Sequence, residues 1–572
     1  MRQFDLVIRG GTVSDGWGGE LFEADVGITG DRIAAVGPNL AAGAEEIDAR
    51  GRLVTPGFID VHAHYDGQAS WASRLEPSTR HGATTVVTGN CGVGFAPCRA
   101  ADRDALVKLM EGVEDIPGTA LHEGLPWNWE SFPDYLEALD TIPHDADIAT
   151  LVPHGALRVF VMGERGLARE KATPADIARM RDLMQQAISA GAIGMGTSRT
   201  IIHRTIDGAL TPMYGAAYEE LIGICSGFEG RAMFQLVSDW DEEAAEFELL
   251  RAAVRAGAAS ASYSLLQWEH RSDQWRNLIA RTDAANADGI PVWGQTLSRP
   301  MGGLIGLDAT FHPFILKPSY QKIAHLPLKA RVQAMREPEL RRRLLTEQDV
   351  GGHMIMPHFR AHATDRIFVM GEFPNYAPTR AESVAAGAEA AGVDVLEWFY
   401  DKMLEDGGRM MFFMPVANFL GASIDPIGEM LTNPHVVSAL GDGGAHVGSI
   451  CDASSSTFLL GYWARDRRLL SLPQAVAKLS GAGAELTGLA DRGRLAPGLK
   501  ADINVIDLDR LAARRPVIVH DLPAGGKRLT QEARGYEATI LSGQIVARDD
   551  EPTDALPGRV VRGRQSAPRV RA

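Results

Sequence analysis

The sequence is poor in cysteine, with four in 572 residues: Cys91, Cys98, Cys225 and Cys451. So few cannot build the disulfide framework of a small secreted scaffold. Free cysteines of this kind most often pack as small apolar groups. Positive charge is also short. A formal net charge of −16 argues against nucleic acid as a partner, because that binding depends on cations neutralising phosphates. No apolar run approaches the about 18 residues that read as a membrane span. The first residues, Met-Arg-Gln-Phe-Asp, carry charge where a secretory signal would be apolar. These absences point to a cytoplasmic chain without membrane or nucleic-acid partners. A homo-oligomer is compatible with them.

Residues 1–55 read as short strands separated by glycine turns such as Gly10-Gly11, Asp15-Gly16 and Gly30-Asp31. Residues 486–555 have the same character, so the two ends are expected to pair as one small β-sandwich. Between them, residues 56–485 alternate strands with helices, the pattern of a parallel sheet. Eight strands are expected: Phe58–Val61, Thr84–Thr88, Ile148–Val152, Ala192–Gly196, Ala232–Val237, Ala261–Leu266, Ile290–Gly294 and Val436–Leu440. Eight is the number a TIM (β/α)8 barrel needs. The fold class is therefore α/β, a TIM barrel with a sandwich built from both chain ends. One helix is fully signalled, with Thr173 as cap, Pro174 in the first turn, apolar residues at helical spacing and Gly191 as stop. The stretch 297–409 is too long for a simple connection and reads as a lid or substrate-binding insertion. Residues 556–572, rich in arginine, glycine and proline, read as a mobile tail.

The most informative stretch is Phe58-Ile59-Asp60-Val61-His62-Ala63-His64. Residues i and i+2 of a strand point the same way. His62 and His64 should therefore project together from the end of the first strand and could grip a divalent metal.

Four motifs, in order, extend this: Val54-Thr55-Pro56-Gly57-Phe58-Ile59-Asp60-Val61-His62-Ala63-His64, then Gly82 to Gly92 with Cys91 after the second strand, then Leu440-Gly441-Asp442-Gly443-Gly444, then Asp491 to Asp502. On these the chain resembles the amidohydrolase superfamily, and within it the N-acyl-D-amino-acid deacylases, or D-aminoacylases. The resemblance implies a metal-dependent hydrolase of a C–N amide bond, with a small carboxylate-bearing amide as substrate. It implies metal ligation by His62, His64, Cys91 and Asp442, with Asp442 also passing a proton from water to the leaving amine. Zinc suits imidazole, thiolate and carboxylate ligands.

The chain departs from the family pattern at the middle of the barrel. The family's histidines on strands five and six are missing, with Gln235 and Gln267 standing about where they should be. No lysine occurs between Lys171 and Lys317 to take their place. One metal ion is expected rather than two. Further candidates for substrate contact, or for support of the ligands, are His154, Arg199, His203, Gln235, Gln267, Arg299 and His446, and Gln295, after strand seven, is on the same face. The arginines are the candidates for clamping a substrate carboxylate. His353, His358 and His362 form a cluster more often incidental than metal-binding, and His270 reads as a surface histidine. Two other readings keep the fold: an enzyme for a cyclic amide, carbamate or other acyl conjugate, and a degenerate barrel that binds without catalysis.

Overall fold

A computed structural model of the chain describes residues 3–352, 356, 359 and 365–568. The metal-cluster candidates His353, His358 and His362 lie outside the described residues. The centre of the fold is a curled sheet of eight parallel strands in sequence order. These are β1 (Phe58–Asp60), β2 (Ala83–Thr88), β3 (Asp147–Pro153), β4 (Gly194–Arg199), β5 (Met233–Ser238), β6 (Ser260–Ser264), β7 (Val292–Thr296) and β8 (Val436–Ser438). All eight are the expected ones. Two sit about two residues further along than their apolar runs, because polar residues such as Thr197 and Ser198 are buried at the strand ends too. β2 is buried along its whole length, as a parallel strand covered on both faces must be. The sheet's two edges meet where Ala63 bridges Gly443. There His64 N donates to Gly443 O at 2.7 Å and Asp442 N to His62 O at 3.2 Å. Strand one and strand eight are thus tied at the residues of the first and third motifs.

The helix Pro174–Ala190 is capped as expected. Asp176 N donates to Thr173 Oγ1 and Thr173 N to Asp176 Oδ2, a reciprocal capping box. The two chain ends share a nine-stranded sheet in which Leu53–Pro56 pairs antiparallel with Ile503–Ile506. One apolar cluster joins Leu6, Val26 and Val54 to Ile503, Val505 and Ile540. The insertion has its own core around Phe311, Phe314, Tyr400 and Phe412. Its first strand, Met301–Ile305, pairs with Phe412–Ala417, so the unit closes beyond the expected boundary at residue 409. Among the described residues no helix is long and apolar enough to cross a membrane.

The expected mobile tail is instead docked as far as residue 565. Ile148 N donates to Arg559 O, Val561 N to Ile148 O and Gln565 N to Gly488 O. The anchor is Asp147, which takes Arg492 and Lys500 at 2.6 Å each and accepts from Arg559 N at 3.0 Å. Lys500 also reaches Asp502 at 3.1 Å. The fourth motif therefore contributes a buried charge cluster on the side of the sheet away from the histidines. Burial alone would push the Asp147 carboxyl up, but Lys500 and Arg492 outweigh it and hold it below the usual range. Removing one partner of such a cluster strands buried charge, at a cost of about 3–5 kcal/mol. Asp147→Asn is expected to lose stability on that scale, read as a lower denaturant midpoint with the active-site chemistry intact at low denaturant.

Candidate metal centre

The candidate site lies at the C-terminal ends of the strands, the face that carries active sites in folds of this kind. His62 and His64 follow β1, with ring centroids 5.4 Å apart. Cys91 sits in the turn after β2, where the chain must bend hard. Gly89 has φ +81°, and a Cβ there would lie 2.0 Å from Leu151 O. Cys91 itself holds φ +55°, a conformation that costs a non-glycine residue about 1–3 kcal/mol and clusters at functional sites. Asn90 steadies the turn by donating to Val87 O at 2.8 Å. Among the described residues His62, His64 and Cys91 form the one cluster with metal-ligand spacing, their donor atoms all within 4.8 Å of one another. His62 Nε2 is 3.3 Å from Cys91 Sγ. Asp442 Oδ1 stands 3.6 Å from His62 Nε2 and 4.0 Å from His64 Nε2.

Second contacts fix these groups. His62 Nδ1 lies 2.7 Å from Gln295 Oε1, and Gln295 Nε2 donates to Ser262 Oγ at 2.9 Å. The amide oxygen can only accept, so the proton is on Nδ1 and the Nε2 lone pair is free for a cation. Gln235 Oε1 accepts from Cys91 N at 3.1 Å. Gln235, on β5 of the sheet, thus supports the cysteine through its backbone.

The electrostatics fit a cation. Glu114 and Asp66 are buried about this point, and Asp442 is half-buried beside them. Burial pushes Asp66 up to about 7. The Glu114 and Asp442 carboxyls are pushed well above the usual range, chiefly by burial and then by neighbouring carboxylates. The Cys91 thiol is raised the same way, by burial and then by Glu114, Asp442 and Asp66. Asp442 Oδ1, Asp66 Oδ2 and both Glu114 oxygens have no hydrogen-bond partner among the described residues. Burial holds His62 and His446 down to about 4 and His203 to about 3. Neutral imidazoles, a thiol and orphaned carboxylates make a donor set for a divalent metal, which reverses such shifts and deprotonates a ligand thiol.

The remaining candidates divide. His203 and His446 are brought to the cluster: His203 hydrogen-bonds Ser198 Oγ at 2.9 Å, and His446 Nε2 is 3.7 Å from Glu114 Oε2. His154 is not available to a substrate, since its Nδ1 meets Thr197 Oγ1 at 2.8 Å and its Nε2 meets Glu220 at 3.0 Å. Arg299 is buried against Asp452 at 2.8 Å and over the Tyr376 ring, which removes it as a carboxylate clamp. Arg199 is engaged by Ala216 O, Glu246 and the Tyr218 ring. Gln267 turns to Asn418 and Ser272 through its backbone and side-chain nitrogens. His270 is exposed. Cys98, Cys225 and Cys451 are buried and free, as expected. Sequence reasoning missed Glu114, and placed Gln295 on the right face without a role behind His62. A signal for Glu114 was present: it shares a helical stripe with Val107 and Met110, and a lone acid on an apolar stripe is anomalous.

Comparison with known proteins agrees with the motifs. The family model described as amidohydrolase family matches residues 45–547. A D-aminoacylase of Alcaligenes xylosoxydans xylosoxydans is 28% identical over 568 residues, covering 98% of this chain and 97% of its own. An N-acyl-D-glutamate deacylase of the same organism is 29% identical over 570 residues, with 98% and 97% covered. Among solved structures, a D-aminoacylase studied for its binuclear metal centre superposes with TM-score 0.66 at 25% identity, over 98% of this chain and 99% of the other. The N-acyl-D-glutamate deacylase of Bordetella bronchiseptica, complexed with zinc and a phosphonate inhibitor, gives 0.65 at 25%, over 98% and 100%.

Proposed function

We propose, because this chain belongs to the amidohydrolase family, that it removes the acyl group from N-acyl-D-amino acids by hydrolysing their amide bond. Membership makes it a hydrolase of carbon–nitrogen bonds other than peptide bonds. The observation that carries the narrower reading is the convergence of His62, His64 and Cys91 beside the Asp442 carboxylate. The curled sheet is read as a (β/α)8 barrel, and the nine-stranded sheet as a β-sandwich closing over the cluster shared by the two ends.

His62, His64 and Cys91 would hold one divalent cation, with Asp442 at its side. Zinc is the reading that imidazole and thiolate favour. One ion is proposed because Gln235 stands where a further ligand is expected and bonds to Cys91 N instead. A cation held there supplies Lewis-acid polarisation of the carbonyl and a lowered pKa for water. Gln295 keeps His62 in the tautomer that leaves Nε2 to the cation. Asp442 accepts the proton of the attacking water as its oxygen bonds to the amide carbon. It then gives that proton to the leaving nitrogen as the C–N bond breaks, releasing a carboxylic acid and a free amino acid. The cleft that Asp442 lines also carries Arg74 and Arg528. Arg528 is forked onto Asp521 at 2.8 Å through Nε and Nη2, so Arg74, whose Nη1 has no hydrogen-bond partner among the described residues, replaces Arg299 and Arg199 as the group assigned to the substrate carboxylate.

Chelation is expected to abolish release of amino acid from a panel of N-acetyl-D-amino acids, and added zinc to restore it. The L-enantiomers should be poor substrates. Turnover of cyclic imides with none of the linear panel would overturn the assignment.

A further inference from the structure

Glu114 is a buried acid with no evident compensation. It ends the helix Arg103–Glu114, is 1% exposed, and neither oxygen has a hydrogen-bond partner among the described residues. A helix C-terminus carries partial negative charge and disfavours a carboxylate. The nearby acids Asp442 and Asp66 make the place worse still for a negative charge. Its position is nevertheless tightly held. Gly112 lies against the 204–206 backbone so closely that a Cβ would fall 2.2 Å from Thr205 C. Asp115 turns the chain into the left-handed region and accepts from Thr310 Oγ1 at 3.1 Å.

What Glu114 faces is the back of the metal centre. Oε1 is 3.3 Å from His64 Nδ1 and Oε2 is 3.7 Å from His446 Nε2. His64 Nε2 is the nitrogen on the Asp442 side. The arrangement repeats that of the other histidine, whose Nδ1 is met by Gln295 Oε1 while its Nε2 faces Cys91 and Asp442. In both, an oxygen able to accept stands behind the ring and an open nitrogen stands in front. His64 Nδ1 and Glu114 Oε1 are close but not aligned as a hydrogen bond, and catalytic hydrogen bonds are often long or poorly aligned in the unliganded protein and tighten on loading.

We propose that Glu114 is a positioning residue of the metal centre, which accepts Nδ1–H of His64 and so presents His64 Nε2 to the cation. Its second oxygen draws His446 to the same site. This inference rests on the metal reading above. Here the carboxylate comes from a helix end, outside the strands that supply the ligands.

The test is Glu114→Leu in the full chain, with zinc affinity measured by competition against a chromophoric chelator and the metal-free melting midpoint measured alongside. Affinity is expected to fall about 10–100-fold, the usual effect of removing a group that orients a metal-binding histidine. The metal-free midpoint is expected to stay level or rise, because a buried acid without a hydrogen-bond partner has been replaced by an apolar side chain of similar size. Glu114→Gln, which keeps an accepting oxygen like that of Gln295 behind His62, should recover most of the affinity. An unchanged affinity in Glu114→Leu overturns the proposal while leaving the metal site standing. A fall in the metal-free midpoint that accounts for the whole loss overturns it in favour of a structural acid. Failure of Glu114→Leu to take up zinc at any concentration overturns it in favour of direct ligation. Absence of zinc binding in the wild type removes the metal reading, and this proposal with it.

Discussion

Asp442→Asn is expected to lower kcat by about three orders of magnitude or more while leaving metal content near that of the wild type. The carboxylate is assigned two transfers, from water and to the leaving nitrogen, and a positioned acid or base contributes about 10²–10⁴-fold. The amide is almost isosteric with the acid, so the turn that carries residue 442 at φ +45° is retained. So is its backbone bond to His62 O. His62, His64 and Cys91 remain to bind the cation, because they form the cluster without Asp442. The two readouts therefore separate. Loss of activity with metal retained supports the proton-transfer role. Loss of both would make Asp442 chiefly a ligand. Activity within tenfold of wild type would remove Asp442 from the mechanism.

Cys91→Ala, and the double variant His62→Ala, His64→Ala, are expected to lose stoichiometric metal and all measurable hydrolysis together. The thiol's environment motivates the size of the effect. Burial and three acids hold the free thiol protonated, so its ionisation depends on a cation that offsets them. Without the sulfur the remaining two imidazoles are a weak pair. Elemental analysis of protein purified without added metal is the direct check, and circular dichroism shows whether the fold survives. Metal content equal to wild type in Cys91→Ala would exclude the cysteine as a ligand.

The sheet was legible because most of its strands contain or adjoin a short apolar run, and because turn signals separate those runs. His62, His64, Cys91 and Asp442 were legible for a different reason: they sit at strand ends in recognisable order, where the fold itself directs them to one place. Gln295 was noticed on the right face, but its role needed the register that sets it behind His62, which a sequence does not print. His154 illustrates the converse. It begins a helix at the correct face, yet Glu220, far along the chain, takes its Nε2. Arg299 fails for the same reason, through Asp452. Partners supplied by distant segments decide whether a polar group is free, and chain spacing carries no record of them. The tail was misread because its composition resembles that of a solvated end. Backbone hydrogen bonds to Ile148 and Gly488 hold it regardless of side chain.

Strand Leu53–Pro56 is among the early products of synthesis, yet its partner Ile503–Ile506 lies beyond the whole parallel sheet. On a translating ribosome, at about 5–20 residues per second, the strands of residues 4–56 must wait on the order of tens of seconds before that edge can be covered. During that interval the apolar face of Leu6, Val26 and Val54 is open to other nascent chains. The mixed sheet is thus a late event in the life of each molecule. Yield in a heterologous host should depend more on holdase chaperones and slow growth than on the intrinsic stability of the finished enzyme.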